Sequence, residues 1–599
     1  MTDLPHWDLS NVYPGLESKQ LKADLKKIVK QIGEMETFFA KKVVKANDKT
    51  STAQLAKTVS EMIDRYNETM TLAYTINAYI GSFVSTDSYN KTALKMESEF
   101  DMLMVRLQKL GVQSSKFIGR IGKKIPAVIK ANKLAASHAF FLKDTAEQSK
   151  YLMSEAEEVL AAELNLSGAN QWSKLQGTVT SQLVVDFEVD GKVEKLPAPA
   201  LINFRSHPDE ATRHRAYDAE NIAWETVKEP LAAAMNGIKG TVNTLNNHRG
   251  RVDCLHSSID AARIDRDTLN AMLGAMKDSF PMFRKYFKSK AAKLGKEKLA
   301  WWDLFAPMGK VNKKYSWGET RAFILQNFGT FSPRLEGLAK RAFDNNWIDA
   351  EMRKGKRGGA FCMGVESVRE SRVLVNFDGS LSQVSTVAHE LGHAFHNDCA
   401  YQAGKTILQQ DTPMTLAETA SIMCETIVSQ AVLKNVSSRD EELAILEESV
   451  QGASQVIVDI YSRYLFEKEV FERRASAELS ADDLCDIMLR AQMATYGDGL
   501  DERYLQKWMW TWKPHYYYAG LSFYNYPYAF GHLFGTGLYA IYQKKGDAFV
   551  QDYINLLAST GEAQAADLAD KFGINIRKKK FWADSLAIIG KQIDRYCEL

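Results

Sequence analysis

Residues 372–396 read Arg372-Val373-Leu374-Val375-Asn376-Phe377-Asp378-Gly379-Ser380-Leu381-Ser382-Gln383-Val384-Ser385-Thr386-Val387-Ala388-His389-Glu390-Leu391-Gly392-His393-Ala394-Phe395-His396. Arg372 to Phe377 reads as a short strand, which Asp378-Gly379 ends. The segment that follows reads as a helix and carries His389-Glu390-Leu391-Gly392-His393. Two His four residues apart share one face of a helix, so both imidazoles can reach one Zn²⁺. The Glu between them stands at the edge of that face, beside the open coordination position. The His and Glu frequencies of the chain give on the order of 0.01 such matches by chance. With His389 at 0° and about 100° per residue, His393 falls near 40° and His396 near −20°. Val384, Val387, Leu391, Ala394 and Phe395 fall on the opposite side, so the apolar stripe and the histidine stripe are segregated. A mainly α fold with a small β-sheet beside the HExxH helix is the expectation.

Two ligands need a third. The three-histidine pattern HExxHxxGxxH would place Gly at 396 and His at 399, where this chain has His396 and Cys399. His396 shares the metal face, but it lies about 10.5 Å along the axis from His389, too far to converge on the same ion. It supports the site from its flank or lines the cleft. A carboxylate from another helix is the remaining option. Thr415-Leu416-Ala417-Glu418-Thr419-Ala420-Ser421-Ile422-Met423-Cys424-Glu425 follows Pro413, a natural first-turn residue. Glu418 and Glu425 are seven apart and share a face among small and apolar residues, where an unpaired carboxylate is costly. One of them reads as the ligand and the other as an acceptor that orients a ligating imidazole.

Outward from this centre the texture is helical. Apolar residues recur at three- and four-residue spacing from about Leu21 to Leu134, and again beyond Pro199. Thr180 to Val189 is rich in β-branched residues and is followed by Asp190-Gly191 and Lys192-Val193-Glu194-Lys195-Leu196, a hairpin signature. Lys356 to Cys362 reads as a turn or loop. The chain divides in sequence order into an N-terminal helical region (1–115), a small hairpin-containing lobe (116–198) and a catalytic region (199–599). Lys plus Arg number 76 against 74 Asp plus Glu, a net charge of +2. That balance argues against nucleic acid as a partner. Six scattered cysteines without a CxxC pair read as reduced thiols. No secretory signal and no membrane-spanning run are visible, so the cytoplasm is the default address.

Further residues carry a family resemblance. Gly359-Ala360-Phe361, Asn376-Phe377-Asp378-Gly379, His389 to His396 and Glu418-Thr419-Ala420-Ser421, in that order, resemble oligoendopeptidase F and the wider thimet oligopeptidase family. Trp7-Asp8-Leu9-Ser10-Asn11-Val12-Tyr13 and Trp302-Asp303-Leu304-Phe305-Ala306-Pro307 resemble two other signatures of that family. The resemblance implies that Glu418 is the third zinc ligand, which leaves Glu425 to orient an imidazole. It also implies that the segment from Pro514 to Tyr528 completes the site, with His515 and Tyr526 stabilising the oxyanion and Tyr524 contacting substrate. Glu390 is then the general base, with one Zn²⁺ held by His389, His393 and Glu418. The strand around Val373, Val375 and Asn376 is expected to receive the substrate as an added strand. The expected activity is zinc-dependent cleavage of internal bonds in short oligopeptides. A dipeptidyl carboxypeptidase or other exopeptidase with the same zinc site is the alternative, and oligomeric state stays open. A peptide-binding protein with a vestigial metal site is a rival of another class.

Overall fold

Helices start where the sequence offers side-chain caps. Ser18, Ser51 and Asn90 accept from the backbone N–H of Leu21, Gln54 and Ala93, opening helices Lys19–Phe38, Thr52–Thr86 and Lys91–Arg120. The first of these buries Leu21, Ile28, Ile32 and Met35, spaced at helical periods, against the second. The computed structural model describes residues 4–189, 191–310, 313–436 and 438–599. They group into two units, each assembled from three separate stretches of chain. One comprises Met1–Tyr151, Lys313–Lys434 and Ile541–Gly573; the other comprises Leu152–Asn312, Asn435–Ala540 and Ile574–Leu599. Helices dominate both, and the sheets among the described residues have two and three strands. No described helix is long and apolar enough to cross a membrane.

In the second unit, β1 (Val184–Val189) and β2 (Lys192–Pro197) form the hairpin. Thr180 to Gln182 was expected in the first strand, but the preceding helix Ala169–Gln182 claims it. The Thr180 hydroxyl donates to the Gln176 carbonyl 2.9 Å away, and Gln176 donates to the Thr511 carbonyl at 3.0 Å, so tertiary anchoring outweighs β-propensity. Gly191 takes the positive φ (+78°) that the turn demands, while Asp190 lies outside the described residues. Elsewhere this unit is stapled by buried ion pairs. Lys239 donates to Glu467 at 2.7 Å and Lys290 to Glu447 at 2.5 Å, with each lysine side chain fully buried. A π-helical turn, Gln455–Asp459, joins helices Arg439–Ser454 and Ile460–Arg474.

The first unit holds the three-stranded sheet. Its β3 (Ile348–Asp349) runs parallel to β5 (Glu370–Leu374), and β4 (Phe361–Val365) pairs antiparallel with the other edge of β5. Phe361 and Cys362, expected in a loop, therefore begin a strand whose residues show little β-branching. Its register is set by the partner, with Cys362 opposite Val373. Arg372, 1% exposed, donates to the Asp8 carbonyl (3.0 Å) and the Asn11 side chain (2.7 Å), tying the N-terminal stretch to the sheet.

In β3, Asp349 is 1% exposed and accepts from both Arg353 and Lys356 at 2.7 Å. Burial pushes the Asp349 carboxyl up, but the hydrogen bonds from Arg353 and Lys356 outweigh it and hold the group below 3.8. Because the folded value is depressed, this contribution to stability is full above pH 3.8 and fades as the pH falls through the lower folded value. Lys356→Met leaves a buried carboxylate with one partner fewer and is expected to cost about 3–5 kcal/mol. Urea unfolding of both proteins measures it, and an unchanged midpoint would show the pair to be dispensable.

Candidate active site

The motif helix, Leu381–Gln402, starts at Ser380, whose hydroxyl accepts from the Gln383 N–H. Val384, Val387, Leu391, Ala394 and Phe395 are all buried on its inner side, while His389 and His393 keep about a quarter of their side-chain surface open. A second helix, Thr419–Leu433, crosses it closely, and Glu418 is the residue that precedes its first turn. Gly392 permits that approach. A Cβ there would stand 2.6 Å from both the Ala420 carbonyl oxygen and the Ser421 Cα. Gly392→Ala must push the two backbones apart, at a cost of about 1–3 kcal/mol, and separate Glu418 from the histidines. Lower thermal stability and weaker metal affinity are expected together, and wild-type affinity in a metal titration would contradict this account.

At the crossing, the Glu418 carboxylate lies 3.3 Å from His389 Nε2 and 3.5 Å from His393 Nε2. One donor atom from each of the three lies within 4.8 Å of the others, the separation a shared metal ion needs. Donors held at 2.0–2.1 Å around a tetrahedral ion stand about 3.3 Å from one another, so this set of two imidazoles and a carboxylate fits Zn²⁺ or a similar divalent ion. Ser421 donates to the Glu418 carboxylate at 2.6 Å and fixes its rotamer. The other nitrogen of His389, Nδ1, donates to Glu425 at 3.2 Å, so two carboxylates bracket one ring.

The electrostatics follow from this crowding. Burial opposes charge on His389, but hydrogen bonds to Glu418 and Glu425 outweigh it and raise the ring to about 10. Burial lowers His393 to about 4. Burial would raise Glu418, yet His389, His393 and Ser421 bring it to about 2, a carboxylate ionised at any working pH. Glu390, 6% exposed, is pushed up to about 7 by burial, opposed by His389 and reinforced by Glu418. A carboxyl in that range can both accept and return a proton near neutrality. His396 bonds Thr560 at 2.8 Å and lines, with His393, a cavity of about 890 Å³ that also meets Tyr66, Tyr74, Phe361 and Met363.

The strand residues need correcting. Val373 pairs with Ile348 on one side and Cys362 on the other, and the Val375 N–H donates to the Asp349 carbonyl. Their strand is the central one, with its edges already used. Asn376 instead donates to the carbonyls of Arg357 and Gly359 and steadies the loop before β4. β4 is one of the two edge strands, and its Phe361, Met363 and Gly364 reach the cavity.

His515, Tyr524 and Tyr526 belong to the second unit. His515 stacks on Tyr524 (centroids 5.7 Å, 30°), and the Tyr524 and Tyr528 hydroxyls lie 2.5 Å apart. Tyr526 is different. It is 1% exposed and its hydroxyl accepts from Ser258 at 3.1 Å, so its ring is a core side chain. Tyr524, half-buried against His515, and Tyr528, half-buried against Tyr524, replace it as candidates. Tyr528 and the partner of His515, Asn525, carry no distinguishing signal in the sequence.

Two family models match. The model of Peptidase family M3 covers residues 203–588, and that of Oligopeptidase F covers residues 122–184. Oligopeptidase PepF of Bacillus subtilis (strain 168) is 23% identical over 478 residues, spanning 77% of this chain and 69% of its own length. A solved structure from Chlamydophila abortus superposes with a TM-score of 0.85 at 18% identity, covering 99% of this chain and 98% of the other. Oligoendopeptidase-F from Enterococcus faecium gives 0.69 at 15% identity, covering 97% and 98%. The chain belongs to peptidase family M3, and it is accordingly a metallopeptidase, a hydrolase of peptide bonds, as the resemblance to oligoendopeptidase F implied.

Proposed function

We propose that this peptidase uses zinc to cleave internal bonds of short oligopeptides. The observation that carries the metal reading is the His389–His393–Glu418 set, whose 3.3 and 3.5 Å spacings suit a tetrahedral ion. The names of the relatives, an oligopeptidase and an oligoendopeptidase, support the substrate class. Bound there, the ion would lower the pKa of a water and polarise the scissile carbonyl. Glu390 takes the proton of the attacking water at its carboxylate and returns it to the leaving nitrogen. Glu425 holds His389 through Nδ1, so that Nε2 is the ligating atom. The outer edge of β4 receives the peptide through main-chain hydrogen bonds that are largely blind to sequence. His515 and one hydroxyl of the Tyr524–Tyr528 pair, the other proton being spent within the pair, carry the oxyanion role that the resemblance implies. Short peptides in the cytoplasm are the partners this reading assigns.

The test is mass spectrometry of the products of a mixed peptide pool, with and without chelator. Fragments cut at internal bonds, absent when chelator is present, are expected. Stepwise loss of C-terminal dipeptides would favour the exopeptidase, and chelator-insensitive cleavage would remove the metal from the reaction.

A further inference from the structure

The second unit contains a run of buried polar groups that ends on His515. It starts at the π-helical turn Gln455–Asp459, which places Asp459, 2% exposed, at the head of the next helix. Asp459 pairs with Arg463 one turn on and accepts from the Tyr496 hydroxyl at 3.3 Å. Arg463 Nη1 donates to Asn525 Oδ1 at 3.3 Å, and Asn525 Nδ2 meets His515 Nε2 at 2.7 Å. Asn525 and His515 are each 8% exposed.

The chemistry of these partners permits one arrangement of protons. A guanidinium only donates, so the amide must turn its oxygen toward Arg463. Its NH₂ group is then committed to His515, and Nε2 must accept. A neutral imidazole carries one proton, which therefore sits on Nδ1. The reverse tautomer would require the amide to flip, setting its NH₂ against the N–H groups of Arg463. We infer that Asn525, oriented by Arg463, is a positioning residue that fixes His515 as the Nδ1–H tautomer and makes Nδ1 the nitrogen that donates. The inference rests on the reading of His515 as an oxyanion donor. A ring in the wrong tautomer would aim a lone pair at a developing negative charge.

Two further observations support it. Burial, together with Arg463, Lys513 and Lys239, lowers His515 to about 2, so the ring stays neutral and a single tautomer has meaning. The loop is also held independently of the amide. Phe523, two residues before Asn525, has φ +55°, sterically disfavoured for an aromatic residue. Its N–H donates to Glu467 at 3.1 Å, and its ring packs on Phe471 and Tyr464. Glu467 is itself paired with the fully buried Lys239. Asn525 is thus delivered to His515 by a backbone that core contacts hold in place.

The full-length, zinc-loaded protein labelled with ¹⁵N-histidine provides the test. Long-range ¹H–¹⁵N correlation reads each ring nitrogen as protonated or not, and the His515 signals are those lost in His515→Gln. The wild type is expected to show a protonated Nδ1 and a bare Nε2, unchanged from about pH 8 to about pH 5.5. Asn525→Asp replaces the donor by an acceptor, so the single ring proton should move from Nδ1 to Nε2 while kcat falls by about tenfold or more and KM barely moves. Rotamer packing alone would not transfer that proton. A wild-type ring protonated at Nε2, or averaged between tautomers, overturns the inference even if Asn525→Asp does not fold. So does a bare Nε2 in Asn525→Asp. Full kcat in His515→Gln would instead sink the catalytic reading of His515, separately from its tautomer.

Discussion

Glu390→Gln is expected to retain the metal and lose about 10²- to 10⁴-fold in kcat. The substitution keeps the shape of the side chain but removes its capacity to take a proton. Glu390 sits at the edge of the face that carries His389 and His393, 6% exposed, in surroundings that raise its carboxyl to about 7. It makes no contribution to the His389–His393–Glu418 set, so the ligands should be untouched. Hydrolysis of a quenched oligopeptide gives the rate, and atomic absorption gives the metal content. A variant within tenfold of wild-type turnover would show that another group handles the proton.

Glu418→Ala attacks the ligand set instead. Two imidazoles remain, and a cation that loses its only anionic ligand loses roughly a quarter of a binding energy of about 10–16 kcal/mol, or some 10²- to 10³-fold in affinity. The change also frees Ser421, whose hydroxyl the carboxylate accepts at 2.6 Å, and removes one of the two acceptors that bracket His389. Metal should be lost on dialysis and activity with it, and excess zinc should restore only part of the rate. Full metal retention after dialysis would place the third ligand elsewhere. The two variants separate the roles: one protein keeps its ion without turning over, the other fails to hold the ion.

Local features of the site were legible because they are local. Helical periodicity alone segregates His389 and His393 from Leu391 and Phe395, and burial of the latter pair follows. Glu418 and Glu425 needed only the seven-residue spacing to be seen on one face, although the helix breaks at Glu418. Tyr526 misled because sequence spacing hides where the helix begins. Helix Tyr526–Lys545 starts at that residue, so Tyr526 and Tyr528 point about 200° apart. Tyr524, still in the loop after the positive φ of Phe523, turns toward His515 instead. The edge strand β4 was invisible for another reason. Phe361-Cys362-Met363-Gly364-Val365 has weak intrinsic preference for a strand and acquires one from pairing with β5. Nor does composition mark the interleaving of three stretches into each unit.

That interleaving bears on the life of the nascent chain. The ligands are all made by residue 418, yet the first unit closes only with Ile541–Gly573. Tyr553 from that stretch donates to the Thr419 carbonyl at 3.2 Å, and Thr560 bonds His396 at 2.8 Å. At about 5–20 residues per second, the ribosome needs roughly 7 to 30 s to travel from the ligands to these braces. During that interval the helices that carry the ligands lack the contacts that settle them.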